Sequence, residues 1–141
     1  MSDHLNIING GSHTDERGTI TFINDFDMQS VKRFYRIKHH DIITVRGWRG
    51  HRIEQRWFHV NIGAFSIMLV AIDDWNSPDP RLPQKEITLT AEENSVLHIP
   101  AGYASAIQAT IVNSEITVFA DYAIEHAQHD DYLFPTDYFK L

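Results

Sequence analysis

Apolar and polar residues alternate in short runs along nearly the whole chain, and no run keeps the 3.6-residue period of a long amphipathic helix. β-Branched and aromatic residues fill these runs, and turn formers separate them. The pattern predicts strands over Gly18–Asn24, Val31–Lys38, Ile42–Gly47, Glu54–Asn61, Ala64–Asp73, Glu86–Thr90, Ser95–Ile99, Ala104–Val112 and Glu115–Ala123. Asn61-Ile62-Gly63 and Val112-Asn113-Ser114-Glu115 break the period between strong strands and read as hairpin turns, so antiparallel pairing is expected. Three of the five prolines lie in Asn76–Pro83, a surface loop with no period of its own. An all-antiparallel chain must close or cover its sheet edges, which leaves a sandwich, a barrel or a jelly roll. The tail Glu125–Leu141, rich in Tyr, Phe and Asp, is expected to form short helical turns that plug one end of a barrel.

With 141 residues, of which 43% are apolar and 22% charged, residues 1–141 are expected to form a single domain around one core. No apolar run approaches the ~18 residues of a membrane span, so no membrane partner is expected. Met1-Ser2-Asp3-His4-Leu5-Asn6 lacks the basic and apolar segments of a secretory signal, and the chain has no cysteine. Both features point to the cytoplasm. There is no Gly-x-Gly-x-x-Gly or phosphate-loop motif to support a dinucleotide-binding domain or a triphosphatase. Gly47-Trp48-Arg49-Gly50-His51 has no serine between its glycines and is not a nucleophile elbow.

The net charge of −7 disfavours nucleic acid, but its distribution is uneven. Between Val31 and Arg56 eight bases face only Asp41 and Glu54, so two-thirds of all Lys and Arg lie in one stretch. Gathered on one surface, they would make a local anion site suited to a small phosphorylated ligand. Arg17, Lys32, Arg33, Arg46 and Arg56 are the candidates for pyrophosphate contact, because a guanidinium grips phosphate oxygens in two-pronged fashion. Alternation sends Lys32 and Arg33 to opposite sides. Trp48, Trp57 and Phe58 offer stacking surfaces for a planar or sugar ring. His51 and Arg49, two apart in an extended segment, are expected on one face. His59 and His98 read as satisfied strand histidines, and His39-His40 as part of a solvated turn.

Several segments resemble the cupin-type sugar-nucleotide isomerases and epimerases, the sugar 3,4-ketoisomerase and dTDP-4-dehydrorhamnose 3,5-epimerase-like (WxcM-like) group. Asp15-Glu16-Arg17-Gly18-Thr19-Ile20 is similar to that family's Asp-x-Arg-Gly-x-Leu strand, and Val31-Lys32-Arg33-Phe34-Tyr35-Arg36-Ile37 to its Ile-Lys-Arg-x-Tyr-x-Ile strand. Arg46-Gly47-Trp48-Arg49-Gly50-His51 falls where the family has Arg-Gly-x-His-x-His, and Gly63 with Phe65 falls on its Gly-x-Phe turn. Ile99-Pro100-Ala101-Gly102-Tyr103-Ala104-Ser105 looks like the cupin Pro-x-Gly-x-x-His turn, and Asp131-Tyr132 is similar to a tail motif. Arg49 and Ser105 stand where the family has histidines, and His51 is retained.

The resemblance implies an all-β, antiparallel jelly-roll or cupin barrel (RmlC-like), paired as a homodimer. It also implies metal-free proton transfer on a dTDP-linked 4-keto-6-deoxy sugar, in deoxysugar supply for surface polysaccharides. That chemistry needs a base near neutrality, an acid and an oxyanion partner. His51 is the expected base, Tyr35 the acid, with Tyr103 and Tyr122 as substitutes, and Arg49 the oxyanion or phosphate partner. Ser105 joins the substrate-binding candidates Arg17, Lys32, Arg33, Arg46, Arg56 and Trp48. No cofactor or metal is expected, since His51 and Glu54 are too few for a cupin metal set and His126, His129, Asp130 and Asp131 amount to an accidental surface cluster. The alternative is a cupin that binds a nucleotide sugar or another anionic sugar without turnover.

Overall fold

The alternating runs form strands because each can bury one face, and a computed structural model describes residues 4–139 of the chain. The strands are β1 (Asn6–Asn9), β2 (Gly11–Asp15), β3 (Gly18–Phe22), β4 (Arg33–His39), β5 (Val45–His51), β6 (Arg56–Ile62), β7 (Ala64–Ala71), β8 (Lys85–Thr90), β9 (Ser95–Ile99), β10 (Tyr103–Ala109), β11 (Ser114–Ala120) and β12 (Tyr132–Leu133). Between β11 and β12 run one helical turn, α1 (Ile124–Ala127), and a 3₁₀ turn, Gln128–Asp130. One sheet has the order β1-β9-β6-β11-β4 and the other β12-β5-β10-β7-β8, and all pairs are antiparallel. The inner faces of both sheets meet in one core that includes Phe58, Val60, Phe65, Ile67, Leu69, Leu97, Ile116 and Val118. The architecture is an antiparallel jelly-roll barrel of the cupin type.

The two expected hairpin turns are instead corners between the sheets. β6 pairs with β9 and β11, whereas β7 pairs with β8 and β10, so the chain changes sheet at Gly63 and again at Asn113. Ser114 joins the corners: its hydroxyl accepts from the Ala64 amide and donates to the Ile111 carbonyl. Gly63 has φ +76°, and a Cβ there would lie 2.0 Å from the Ser114 hydroxyl oxygen, so only glycine fits. Corners win because strands buried on one face must alternate between layers to enclose a core.

The strand expected over Ile42–Gly47 starts later and runs on to His51. Asp41 Oδ1 accepts from the amides of Ile43 and Thr44, holding those residues in a turn. The glycines of β5 disguise it as a loop, yet both are packing positions. A Cβ on Gly47 would meet Ala106 at 2.5 Å, and one on Gly50 would meet the Trp75 ring at 2.8 Å.

The tail forms the expected helical turns, then adds β12 to the edge of β5. Residues 134–139 fold over the outer face of the second sheet. Phe134, Tyr138 and Phe139 pack there with Trp48, Val70, Leu82 and Ala104, and the Trp48 indole N–H donates to the Thr136 carbonyl. The hairpin β2–β3 pairs with neither large sheet and leaves Ile20 63% and Phe22 38% exposed. Among the described residues no helix is long and apolar enough to cross a membrane.

Candidate functional site

Between the sheets, at the end where α1 and the 3₁₀ turn cross the barrel, lies a cavity of about 900 Å³. Its walls include Tyr35, Ile37, Phe58 and Val118 from one sheet, His51, Ser105 and Ile107 from the other, and Ile124, Ala127 and Leu133 from the tail. Four guanidinium groups face it, those of Arg33, Arg46, Arg49 and Arg56. The nearby carboxylates are Asp131 on the wall and Glu54 buried behind it. Cations outnumber anions, and apolar walls of low polarisability strengthen their field.

The strands determine which candidates arrive here. Arg49 and His51 lie two apart on β5 and both face the cavity. Trp48, on the opposite side of the pleat, is buried against the tail outside the barrel and does not line it. Lys32 is likewise exposed outside while its neighbour Arg33 points in. Arg17 sits in the turn of the β2–β3 hairpin, largely exposed, and pairs with Asp15 at 2.7 Å. Of the expected set, the cavity thus gathers Tyr35, Arg33, Arg46, Arg49, His51, Arg56 and Ser105, and not Arg17, Lys32 or Trp48. Tyr103 and Tyr122 are absent from its walls.

His51 is 7% exposed, and its Nδ1 lies 2.8 Å from the Asp130 carbonyl oxygen. A carbonyl only accepts, so Nδ1 carries the proton and Nε2 keeps its lone pair. Nε2 has no hydrogen-bond partner. Burial, followed by the cations Arg56, Arg49 and Arg33, holds the imidazole down to about 3, against the Asp130 bond that favours protonation. The ring is therefore a neutral acceptor at physiological pH and does not titrate near neutrality as the sequence suggested, because burial and the cations around it disfavour the imidazolium.

Glu54 organises the floor. One oxygen accepts from Arg33 at 3.1 Å and the other from Arg56 Nε, while Arg33 Nε also donates to the Tyr122 carbonyl. Both guanidinium groups stand over the Tyr35 ring, 5.5 and 5.9 Å from its centroid. Each Glu54 oxygen is thus held by a guanidinium group. Arg49 pairs with Asp131 at 3.1 Å, so a guanidinium–carboxylate pair occupies the wall beside His51. Sequence reasoning put Asp130 and Asp131 in an accidental surface cluster with His126 and His129, but Asp130 is 1% exposed and Asp131 lines the cavity. Their signal was the Asp131-Tyr132 tail motif, but its spatial partners lie some eighty positions away.

The other histidines have separate settings. His59 Nδ1 bonds the Ser95 carbonyl at 3.1 Å, and His98 stacks on Trp57 and bonds Gln55. His39 does not lie in a solvated turn. It closes β4, 4% exposed against Phe65, with neither ring nitrogen hydrogen-bonded, and burial with Arg46 nearby lowers its pKa.

A family model described as FdtA, WxcM-like, C-terminal, matches residues 3–141. The chain belongs to that family. No curated protein sequence matches it. Among solved structures, the 3,4-ketoisomerase QdtA from Thermoanaerobacterium thermosaccharolyticum, as a histidine-to-asparagine mutant in complex with TDP-4-keto-6-deoxyglucose, superposes with a TM-score of 0.70. It is 19% identical, over 93% of this chain and 88% of its own. ChmJ, a 3'-monoepimerase from Streptomyces bikiniensis in complex with dTDP-quinovose, gives a TM-score of 0.75 at 16% identity, over 94% of this chain and 70% of its own. The dTDP-4-dehydrorhamnose 3,5-epimerase from Bacillus anthracis, with TDP and PPi bound, gives 0.70 at 15% identity, over 86% and 75%. These neighbours share the fold found here, and each was solved with TDP or a TDP-linked sugar bound.

Proposed function

We propose that the cavity binds a dTDP-linked 4-keto-6-deoxy sugar and that His51 moves a proton next to its ketone, isomerising or epimerising the sugar. One observation carries this reading: a buried imidazole whose Nε2 has no hydrogen-bond partner belongs to the wall of a cavity that four arginines also line. In the reaction Nε2 takes the proton from the carbon beside the carbonyl, and the electron pair moves onto the carbonyl oxygen as an enolate. Arg49 stabilises that charge. For epimerisation Tyr35 gives its own proton to the other face of the same carbon; for isomerisation the hydroxyl proton on that carbon first passes to the enolate oxygen, the new alkoxide closes to the ketone, and Tyr35 protonates the former carbonyl carbon. The proton held on His51 then restores the Tyr35 phenolate through solvent, which resets both groups. Arg33, Arg46 and Arg56 hold the diphosphate, with Ser105 on the strand beside Arg46 and Arg49. No metal or other cofactor enters this scheme. The protein would act in the cytoplasm, in deoxysugar supply, as a homodimer.

The test is proton NMR of the protein with dTDP-4-keto-6-deoxyglucose in heavy water. Deuterium should enter the sugar next to the ketone, and His51→Asn should abolish this while nucleotide binding persists. Unchanged exchange in the variant removes His51 as base.

The Arg49–Asp131 pair favours a second reading, a pocket that binds such a sugar without turning it over. An ion pair occupies a position where the family resemblance expects a histidine. In the same experiment Arg49→His decides between them. Turnover gained by the variant where the parent has none, at equal ligand affinity, establishes the binding reading.

A further inference from the structure

His51 belongs to β5, but the group that fixes its ring comes from the other end of the chain. Asp130 is 1% exposed and has no cationic partner among the described residues. A buried carboxylate without a counter-ion needs hydrogen-bond donors instead. Asp130 finds them in three consecutive main-chain amides just after the histidine. Oδ1 accepts from Arg52 at 2.8 Å and Ile53 at 3.0 Å, and Oδ2 from Ile53 at 3.0 Å and Glu54 at 2.7 Å. The carbonyl of the same residue accepts from His51 Nδ1 at 2.8 Å.

We infer that Asp130 is a positioning residue: its carboxylate locks the 52–54 turn so that its own carbonyl holds His51 in the Nδ1–H form, with Nε2 free to accept. This rests on the reading of His51 as the base. The carboxylate suits the task because it is acceptor-only and faces three donors. An amide cannot replace it: Asn at this place would turn its NH₂ toward an amide N–H, donor against donor. The lock reaches further, since Glu54, whose amide it holds, carries Arg33 and Arg56. The 3₁₀ turn is one turn long and has no side-chain cap; β12 and the Arg49–Asp131 pair tie the chain after it to β5, and Asp130 ties the turn itself to residues 52–54.

The readout is nitrogen-15 NMR of histidine-labelled protein, with His51 assigned by loss of its signals in His51→Asn. In the parent, His51 should show a protected Nδ1–H and an unprotonated Nε2. An Nε2–H signal in the parent overturns the inference without any variant having to fold. In Asp130→Asn the ring should become a mixture of the two tautomers, and kcat for deuterium exchange into dTDP-4-keto-6-deoxyglucose should fall about 10- to 100-fold, as when other outer supports of a reactive group are removed. KM should rise by a smaller factor than kcat falls, because Arg33 and Arg56 depend on the lock only through Glu54 and Arg46 has no bond to it. A variant that keeps the single tautomer and the parental kcat overturns the inference, as does one whose kcat falls only in step with its folded fraction. If His51→Asn still exchanges deuterium, the base reading fails by itself, and the tautomer result reports separately on the Asp130 lock.

Discussion

At the scale of single residues, the cavity concentrates charge that the fold has already partly neutralised. Glu54 divides itself between Arg33 and Arg56, and Asp131 answers Arg49, so each cation is held in place yet the wall stays cationic. His51 feels the excess. Its folded form takes a proton only near pH 3, whereas the imidazole of the unfolded chain takes one near 6.5. Between those values the unfolded state binds more protons, so stability falls as pH drops from 6.5 toward 3 and is insensitive to this group above 6.5. The slope from His51 is about 1 kcal/mol per pH unit. His39 and His98, also lowered by burial, add in the same direction. Urea unfolding at pH 7.5 and at pH 5 should show the loss, and the His51→Asn variant should lose less between the two. An identical pH response in the variant would mean that His51 titrates normally.

At the scale of elements, β5 is the piece on which the site turns, because its two faces do different work. Arg49 and His51 face the cavity, while Trp48 and Gly50 pack on the tail and on Trp75. The tail is therefore held to β5 from outside by Trp48 against Phe139, and at the barrel end by Asp130 on the 52–54 turn. Replacing Trp48 by alanine removes a buried indole and should cost about 3–5 kcal/mol in urea unfolding. It should also loosen the tail, so that amides of β12, protected by pairing with β5, exchange faster with solvent while those of β7 and β10 do not. Uniform exchange across the barrel would contradict a separate anchoring role.

At the scale of the whole molecule, the β2–β3 hairpin stands apart from both large sheets with apolar side chains uncovered. Ile20 and Phe22 are exposed on it, and Phe34 is 65% exposed on the outer face of β4. Isolated two-stranded ribbons are marginal in water, and open edges invite pairing. A homodimer that covers the hairpin is the expected assembly, and light scattering should give the mass of two chains. Ile20→Glu with Phe22→Glu should shift it to one chain with the barrel intact, whereas a monomeric parent would refute the dimer.

Alternation and composition alone were enough to specify an all-β chain, most of its strands, the helical turns of the tail and a cationic stretch suited to an anion. These are local properties, set by pleat period and turn chemistry. The family motifs further directed attention to Arg49, His51 and Tyr35. Sequence could not say that Gly63 and Asn113 are corners between sheets, because a tight turn looks the same whether its strands pair or part. Nor could it reveal that β5 continues through two glycines, whose lack of a side chain serves neighbours distant in the chain. Which bases share a cavity was also beyond it: pleat parity separates Lys32 from Arg33, but only sheet packing brings Arg33 and Arg56 onto Glu54. The Asp130 carbonyl beneath His51 was least accessible of all, since a main-chain oxygen leaves no mark in the identity of its residue. Tertiary structure decided these points because each depends on groups up to eighty residues apart meeting within a hydrogen bond's length.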